Sequence, residues 1–149
     1  MEYDDDRFIR ALRNSGVEIV ELTSDEEALY RREWFNRVVP AGKRQKAIES
    51  YCFDRDGCSG YLWHVFSYEI LDCIKGNTAK KAFDSVSKQE AVLLVNLGNI
   101  ASCRLNHISN ITAEYFDVLE DVILTGSNFE WIYAKTHEPD CGPYFYTVS

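Results

Sequence analysis

The sequence has no excess of basic charge, no long apolar run and no recognisable catalytic motif. Its 149 residues include 24 acidic side chains against 16 of lysine and arginine, which gives a net charge of -8. Nucleic-acid affinity rests largely on Lys and Arg neutralising phosphates, so this balance argues against a nucleic-acid partner. No stretch of about 18 apolar residues runs together, and we therefore predict no membrane span.

The beginning of the sequence also lacks the features of a secretory signal. The segment M-E-Y-D-D-D-R is acidic and has neither a positive n-region nor an apolar h-region. The five cysteines are odd in number and irregularly spaced: Cys52, Cys58, Cys73, Cys103 and Cys141. Such a set is typical of a reducing compartment, so we predict a cytoplasmic protein with free, buried thiols.

The glycine-rich motifs that cradle phosphates are missing too. Neither G-x-x-x-x-G-K-[ST] nor G-x-G-x-x-G occurs. The segment A-G-K-R-Q-K-A-I-E (residues 41–49) is basic, and we interpret it as a solvated loop rather than an anion site.

What the sequence does have is enough apolar content for one domain with a core, since 46% of the residues are hydrophobic and 13% are aromatic. Helical spacing of Phe8 and Leu12 predicts a first helix that ends near Gly16. Ser24 and Glu27 form a candidate capping box. The helix that follows is predicted to end at Pro40.

Three segments dense in apolar residues (61–66, 91–97 and 129–136) are predicted to be strands of one sheet covered by helices. We predict further helices over residues 70–86, interrupted at Gly76, and over residues 113–121, capped by Thr112. V-I-L-T and P-Y-F-Y-T-V add antiparallel strands. The predicted fold is a single α+β domain over residues 1–149, with a mixed or mostly antiparallel sheet and helices packed on it.

The candidate site lies in F-E-W-I-Y-A-K-T-H-E-P-D-C-G-P-Y-F-Y (residues 129–146). Here His137 and Glu138 are expected at the end of a strand, with Tyr144 opening the strand that pairs with it. Together with His64 and Glu69 they could supply a general base and its orienting partner. The alternative is structural, with His64 a hydrogen-bonded core histidine and Thr136, His137 and Glu138 pinning the loop to the backbone.

A metal site has one possible ligand set, Cys52, Cys58, His137 and Cys141. Zinc accepts these ligand types, but the five-residue gap between the first two cysteines departs from the usual spacing in zinc knuckles. We therefore predict no metal and no other cofactor.

The stretches L-W-H-V-F-S-Y-E, F-E-W-I-Y-A-K-T-H-E and G-P-Y-F resemble those of a family of small bacterial proteins of unknown function and about this length. Members of that family end in a W-x-[YF]-x-x-T-H-E and G-P-Y-F pattern. The resemblance implies no activity. It does imply that the matching residues matter: Trp63, His64, Trp131, Thr136, His137, Glu138, Gly142 and Pro143.

Two functions from different classes fit these observations. The first is a non-enzymatic, acidic protein-binding module that covers a basic partner, as immunity proteins and small inhibitors do. The second is a small enzyme or ligand-binding domain with a pocket around His64, His137 and Glu138, lined by the aromatic residues Trp63, Trp131 and Tyr144.

Overall fold

The computed structural model describes residues 4–49, 62, 64–67, 69–97, 99–138 and 142–148. Its helices are α1 (Asp4–Asn14), α2 (Ser24–Val38), α3 (Arg44–Glu49), α4 (His64–Ser67) and α5 (Gly76–Ser85), with 3₁₀-helices at Ala41–Lys43 and Ala113–Phe116. The strands are β1 (Glu18–Glu21), β2 (Ile74–Lys75), β3 (Glu90–Leu97), β4 (Cys103–Asn106), β5 (Asp121–Gly126), β6 (Trp131–Lys135) and β7 (Tyr144–Thr147).

The seven described strands form one open sheet in the order β1-β4-β3-β5-β6-β7-β2. Every pairing between them is antiparallel. The chain is therefore a single α+β domain, and the fold class predicted from the sequence is confirmed.

Helices cover both faces of this sheet and make two cores. Side chains of α2, α3 and α4 pack on one face against Ile123 and Ile132, and we call this cluster the α2 core. Side chains of α1, α5 and the second 3₁₀-helix pack on the other face against Leu124 and Tyr133, and we call this cluster the α5 core. Because β5 has helices on both sides, all six of its residues are buried.

The strand predicted at residues 91–97 is confirmed as β3, which lies inside the sheet between β4 and β5. The strand predicted at residues 129–136 is confirmed as β6, although it begins at Trp131 because Phe129 has a φ of 60°. Alternation along β6 sends Trp131 and Tyr133 into the α5 core and Ile132 and Ala134 into the α2 core.

The strand predicted at residues 61–66 is wrong, because His64–Ser67 form helix α4. Val65 and Phe66 are adjacent in sequence and both are fully buried in the α2 core. A short apolar run has no periodicity that separates a strand from one buried helical turn. Residue 61 lies outside the described residues.

Two predicted helices are shorter than expected. Instead of a helix over residues 70–86, Ile70 and Leu71 are buried outside any helix, β2 follows, and α5 begins at Gly76. Instead of a helix over residues 113–121, there is one 3₁₀ turn. Thr112 makes no side-chain cap there, and Asp84 Oδ1 accepts a hydrogen bond from the Ala113 amide at 2.7 Å.

The basic segment at residues 41–49 is helical rather than a solvated loop. Two of its cations donate to backbone carbonyls: Lys43 Nζ to Ile70 O at 2.9 Å, and Arg44 to Val39 O and Asn36 O at 3.1 and 2.6 Å. These two side chains therefore hold the end of α2 and the segment after it in place, which favours a structural role for them.

The capping box of α2 starts one residue earlier than predicted, at Thr23 instead of Ser24. The Thr23 hydroxyl accepts from the Glu26 amide at 3.2 Å, and the Glu26 carboxylate accepts from the Thr23 amide at 2.9 Å. Hydrogen bonding to the Glu26 carboxylate, first from the Thr23 amide and then from the Thr23 side chain, lowers the pKa of Glu26. Ser24 is already the first helical residue.

We expect Thr23→Ala to lower the free energy of unfolding by about 1 kcal/mol, because the Glu26 amide loses its acceptor, the Thr23 hydroxyl. The matched control is Ser24→Ala, which should change that free energy by less than about 0.5 kcal/mol. Urea unfolding of both variants measures the difference. Equal losses would contradict the observed register of the cap.

Candidate functional site

The candidate site lies at one end of the sheet, where three strands bring polar side chains together. Because β5 is antiparallel to both neighbours, it starts where β3 and β6 end. Asp121, its first residue, is opposite Leu97, and the next residue, Val122, is opposite Lys135. The residues after β6, Thr136 and His137, therefore lie beside Asp121.

A buried carboxylate and a partly exposed imidazole meet at this end. Asp121 Oδ2 lies 2.6 Å from His137 Nδ1. The Asp121 side chain has no exposed surface, whereas 34% of the His137 side chain is exposed. A hydrogen bond this short to a buried acceptor holds the ring in one orientation.

Two further side chains, Arg31 and Asn96, form a chain of hydrogen bonds that ends at the Asp121 carboxylate. Arg31 of α2 is only 5% exposed, and its Nη1 donates to Asn96 Oδ1 at 2.6 Å. Asn96 Nδ2 then faces Asp121 Oδ1 at the longer distance of 3.4 Å. Asn96 stands where the β3–β5 register shifts, and this irregularity turns its side chain towards the site.

The order of donors in this chain determines the tautomer of the histidine. A guanidinium can only donate, so Asn96 presents its oxygen to Arg31 and its amide nitrogen to Asp121. The ionised carboxylate can only accept, so the proton between Asp121 and His137 sits on Nδ1. In the neutral ring, Nε2 then carries the lone pair.

Arg31 is itself held by contacts within α2 and to β3. Its Nε and Nη2 lie 3.1 and 3.0 Å from Glu27 Oε1, one helical turn earlier, and Nη2 donates to Val95 O at 2.7 Å. The charge of this buried guanidinium is thus balanced by Glu27, as a buried cation requires.

Thr136 and Glu138 fix the backbone that carries His137. The Thr136 hydroxyl accepts from the Glu138 amide at 3.3 Å and donates to Glu138 O at 3.1 Å. Thr136 therefore ties its hydroxyl to the backbone of Glu138, whereas His137 bonds the Asp121 side chain. Glu138 Oε1 lies 3.9 Å from His137 Nε2.

Two lysines, Lys80 and Lys135, interact with carboxylates and carbonyls near this end of the sheet. Asp117 pairs with Lys80 at 3.1 Å, and Lys135 Nζ donates to Thr136 O at 3.1 Å. Partial burial lowers the pKa of Lys135, while the carboxylates of Asp117 and Asp121 act in the opposite direction.

The structure separates the other predicted site residues. Trp131 is 2% exposed in the α5 core and Tyr144 is 3% exposed in the α2 core, so the two rings lie on opposite faces of the sheet. They cannot line one pocket together. His64 lies in α4, and its side chain and Trp63 are outside what the structure describes.

Two cysteines are described, and burial weakens both as nucleophiles. It raises the pKa of the half-buried Cys73 to about 11 and of the buried Cys103 to about 12. Both are free thiols, as the sequence predicts. Because the thiolate is the reactive form, neither is suited to attack a substrate.

The described residues contain no group of three or more His, Cys, Asp or Glu that could hold a metal ion. Of the four candidate zinc ligands, Cys52, Cys58 and Cys141 lie outside the described ranges. No helix within those ranges is both long and apolar enough to cross a membrane.

Fold and site together define a small α+β domain with a buried carboxylate–histidine pair at one end of an antiparallel sheet. The chain belongs to the family described as "Domain of unknown function (DUF4275)", whose family model matches residues 7–145. No curated protein and no solved structure matches this chain.

Proposed function

We propose that this chain is a small enzyme or ligand-binding domain in which Nε2 of His137 accepts a proton or a hydrogen bond from the ligand. The observation that carries the proposal is the 2.6 Å hydrogen bond from His137 Nδ1 to the fully buried Asp121. A buried carboxylate on Nδ1 is the arrangement by which hydrolases orient a histidine base.

The chemistry assigned to the site is general-base catalysis on water or on an O–H or N–H group of the ligand. The two described thiols have raised pKa values, which argues against a cysteine nucleophile from either of them. One third of the His137 side chain is exposed at a strand end, where loops begin and sites often form.

Asparagine at position 137 separates this role from a purely structural one. Its amide nitrogen is as many bonds from Cα as Nδ1, so His137→Asn can still donate to Asp121 but has no atom in place of Nε2. We expect it to unfold within about 1 kcal/mol of the wild type. His137→Ala leaves the Asp121 carboxylate without this donor and should lose about 1–3 kcal/mol.

The reactivity of Nε2 can be measured with p-nitrophenyl acetate, which acylates or is hydrolysed by accessible basic imidazoles. We expect His137→Asn to lower the rate of p-nitrophenolate release by at least about tenfold while the protein stays folded. The matched control is His107→Asn, because His107 is exposed and its φ of 66° suits asparagine. Equal rates in the wild type and His137→Asn would contradict the proposal.

A second candidate function is the acidic protein-binding module, of immunity or inhibitor type, with a basic protein as its partner. The net charge of -8 supports it, as do the exposed carboxylates Glu18 and Glu90, which form no ion pair with a described residue. A cytoplasmic location belongs to the same proposal and is supported by the odd, irregularly spaced set of cysteines.

A further inference from the structure

A groove of about 390 Å³ lies between α2 and the outer part of the sheet, on the face of the α2 core. Its floor and rim are Glu18 and Val20 of β1, Arg104 and Asn106 of β4, and Glu90 of β3, and Tyr30 of α2 forms one wall. It is well separated in the strand order from β6, which carries His137.

The strand register explains why these side chains share one face. Glu18 is opposite Asn106, which is opposite Glu90, and this gives one polar row across β1, β4 and β3. Two residues along, Val20, Arg104 and Val92 make a parallel second row. No buried residue of the α2 core comes from β1 or β4, and Val20 remains 37% exposed.

The charges of the groove are not balanced within it. Asn106 Nδ2 donates to Glu18 Oε1 at 2.7 Å, which orients that carboxylate without neutralising it. Arg104 lies near Glu26 of α2, and its charge adds to the two Thr23 hydrogen bonds in lowering the pKa of Glu26. Glu18 and Glu90 have no ion-pair partner among the described residues.

An aliphatic stem with a cationic head matches this surface. The stem can lie on Val20, which is 37% exposed, and the head can reach Glu18 on the edge strand. Glu90, two strands further in, adds to the negative field of the groove, and the Tyr30 ring suits a cation beside it. Lysine and arginine have this shape.

The occupant is a protein segment rather than a free cation, because the groove borders a sheet edge. In the described part of the chain β1 is an outer strand, paired only with β4. An extended segment that pairs with such an edge places alternate side chains over the same face. Opposite charges across neighbouring strands then stabilise the pairing.

We propose that this groove receives lysine or arginine side chains of an extended segment of a partner protein that adds to the β1 edge. The inference rests on the second candidate function, the acidic protein-binding module, and assigns it a surface. It is independent of His137.

The test uses the peptide acetyl-Lys-Val-Lys-Val-Lys-amide as the probe, with the same peptide carrying glutamate for lysine as its control. Binding is followed by amide NMR shifts at low and high salt. We expect the lysine peptide to shift the amides of β1 and β4. The double variant Glu18→Gln/Glu90→Gln should raise its Kd by about tenfold. The pair Glu114→Gln/Glu120→Gln, exposed and of equal charge change, should raise it less than about twofold.

Four outcomes would overturn the groove as the docking surface. If both double variants weakened peptide binding equally, the peptide would be attracted by the net charge of the protein and not by the groove. If the amide signals of β1 shifted when the protein concentration was raised without any peptide, the occupant would be a second copy of the chain. Salt-dependent binding that shifts amides elsewhere would leave the acidic module standing and remove only the groove, whereas no binding of the lysine peptide at any salt would remove both.

Discussion

Replacing Phe83 with alanine is expected to lower the free energy of unfolding by about 3–5 kcal/mol, the cost of removing a buried aromatic ring and leaving a cavity. Phe83 has no exposed surface. Its ring centroid lies 4.8 Å from that of Tyr133 and 5.7 Å from those of Phe116 and Trp131. The ring therefore joins α5 and the second 3₁₀-helix to β6, and its loss weakens three elements at once.

The control for this prediction is Leu29→Ala in α2, since Leu29 is 55% exposed and should change the free energy of unfolding by less than about 0.5 kcal/mol. Urea unfolding followed by tryptophan fluorescence measures both variants. A loss below about 1.5 kcal/mol for Phe83→Ala would mean that the α5 core can close around the missing ring.

The strands that could be predicted from the sequence are those with a clear pattern over enough residues. Residues 91–97 are apolar over nearly their whole length, which identified β3 as an inner strand covered on both faces. Residues 129–136 are also dense in apolar side chains, and their middle part, residues 131–135, sends alternate residues to two different cores.

The elements that could not be predicted depend on contacts distant in sequence. Strand β2 is two residues long and exists because Ile74 and Lys75 pair with Phe145 and Tyr144 of β7. Helix α4 is a single turn whose Phe66 packs edge-on against Trp34 of α2, with ring centroids 6.4 Å apart. Local propensity has little weight in segments this short, and tertiary packing determines their conformation.

Some features of the candidate site could likewise be predicted from the sequence, and others could not. The position of His137 and Glu138 at a strand end, and of Tyr144 in the pairing strand, followed from local signals and is confirmed. Asp121 was assigned to a helix end, and neither Asn96 nor Arg31 was recognised. Their roles depend on the β3–β5 register and on the packing of α2 over the sheet, which no local pattern encodes.

One sequence signal could have identified Asp121: it comes directly before V-I-L-T, which was predicted to be a strand and is apolar in three of its four residues. A carboxylate in the same strand as four buried residues needs a hydrogen-bonding partner. His137 is the only histidine in or next to the segment predicted to pair with V-I-L-T. The Asp121–His137 pair could therefore have been inferred by assuming that β5 and β6 form a hairpin.

Replacing Asp121 with alanine is expected to lower the free energy of unfolding by about 3 kcal/mol, because Asn96 Nδ2 and His137 Nδ1–H both lose their acceptor. Asp117→Ala is the control, since Asp117 is exposed and pairs with Lys80 at the surface, and it should lose less than about 1 kcal/mol. Equal losses in urea unfolding would contradict the central position of Asp121 in the network.

Replacing Asp121 with asparagine tests the network more closely, because the side chain keeps its shape. Arg31 still donates to the Asn96 oxygen, so Asn96 still donates from its amide nitrogen. The amide introduced at position 121 must therefore accept that bond with its oxygen. Its nitrogen then points at His137 Nδ1, which has to accept, and the ring proton moves to Nε2. We therefore expect Asp121→Asn to reverse the tautomer of His137 and to abolish the reactivity of Nε2 towards p-nitrophenyl acetate.

The tautomer can be read directly from the imidazole ¹⁵N shifts, with the His137 signals among the three histidines identified by their absence in His137→Asn. In the wild type Nδ1 should have the shift of a protonated nitrogen and Nε2 that of an unprotonated one, and in Asp121→Asn the two should exchange. Asp117→Asn should leave both unchanged. Protonation of Nε2 in the wild type, or of Nδ1 in Asp121→Asn, would contradict the donor order from Arg31 to His137 and with it the assignment of Nε2 as the base.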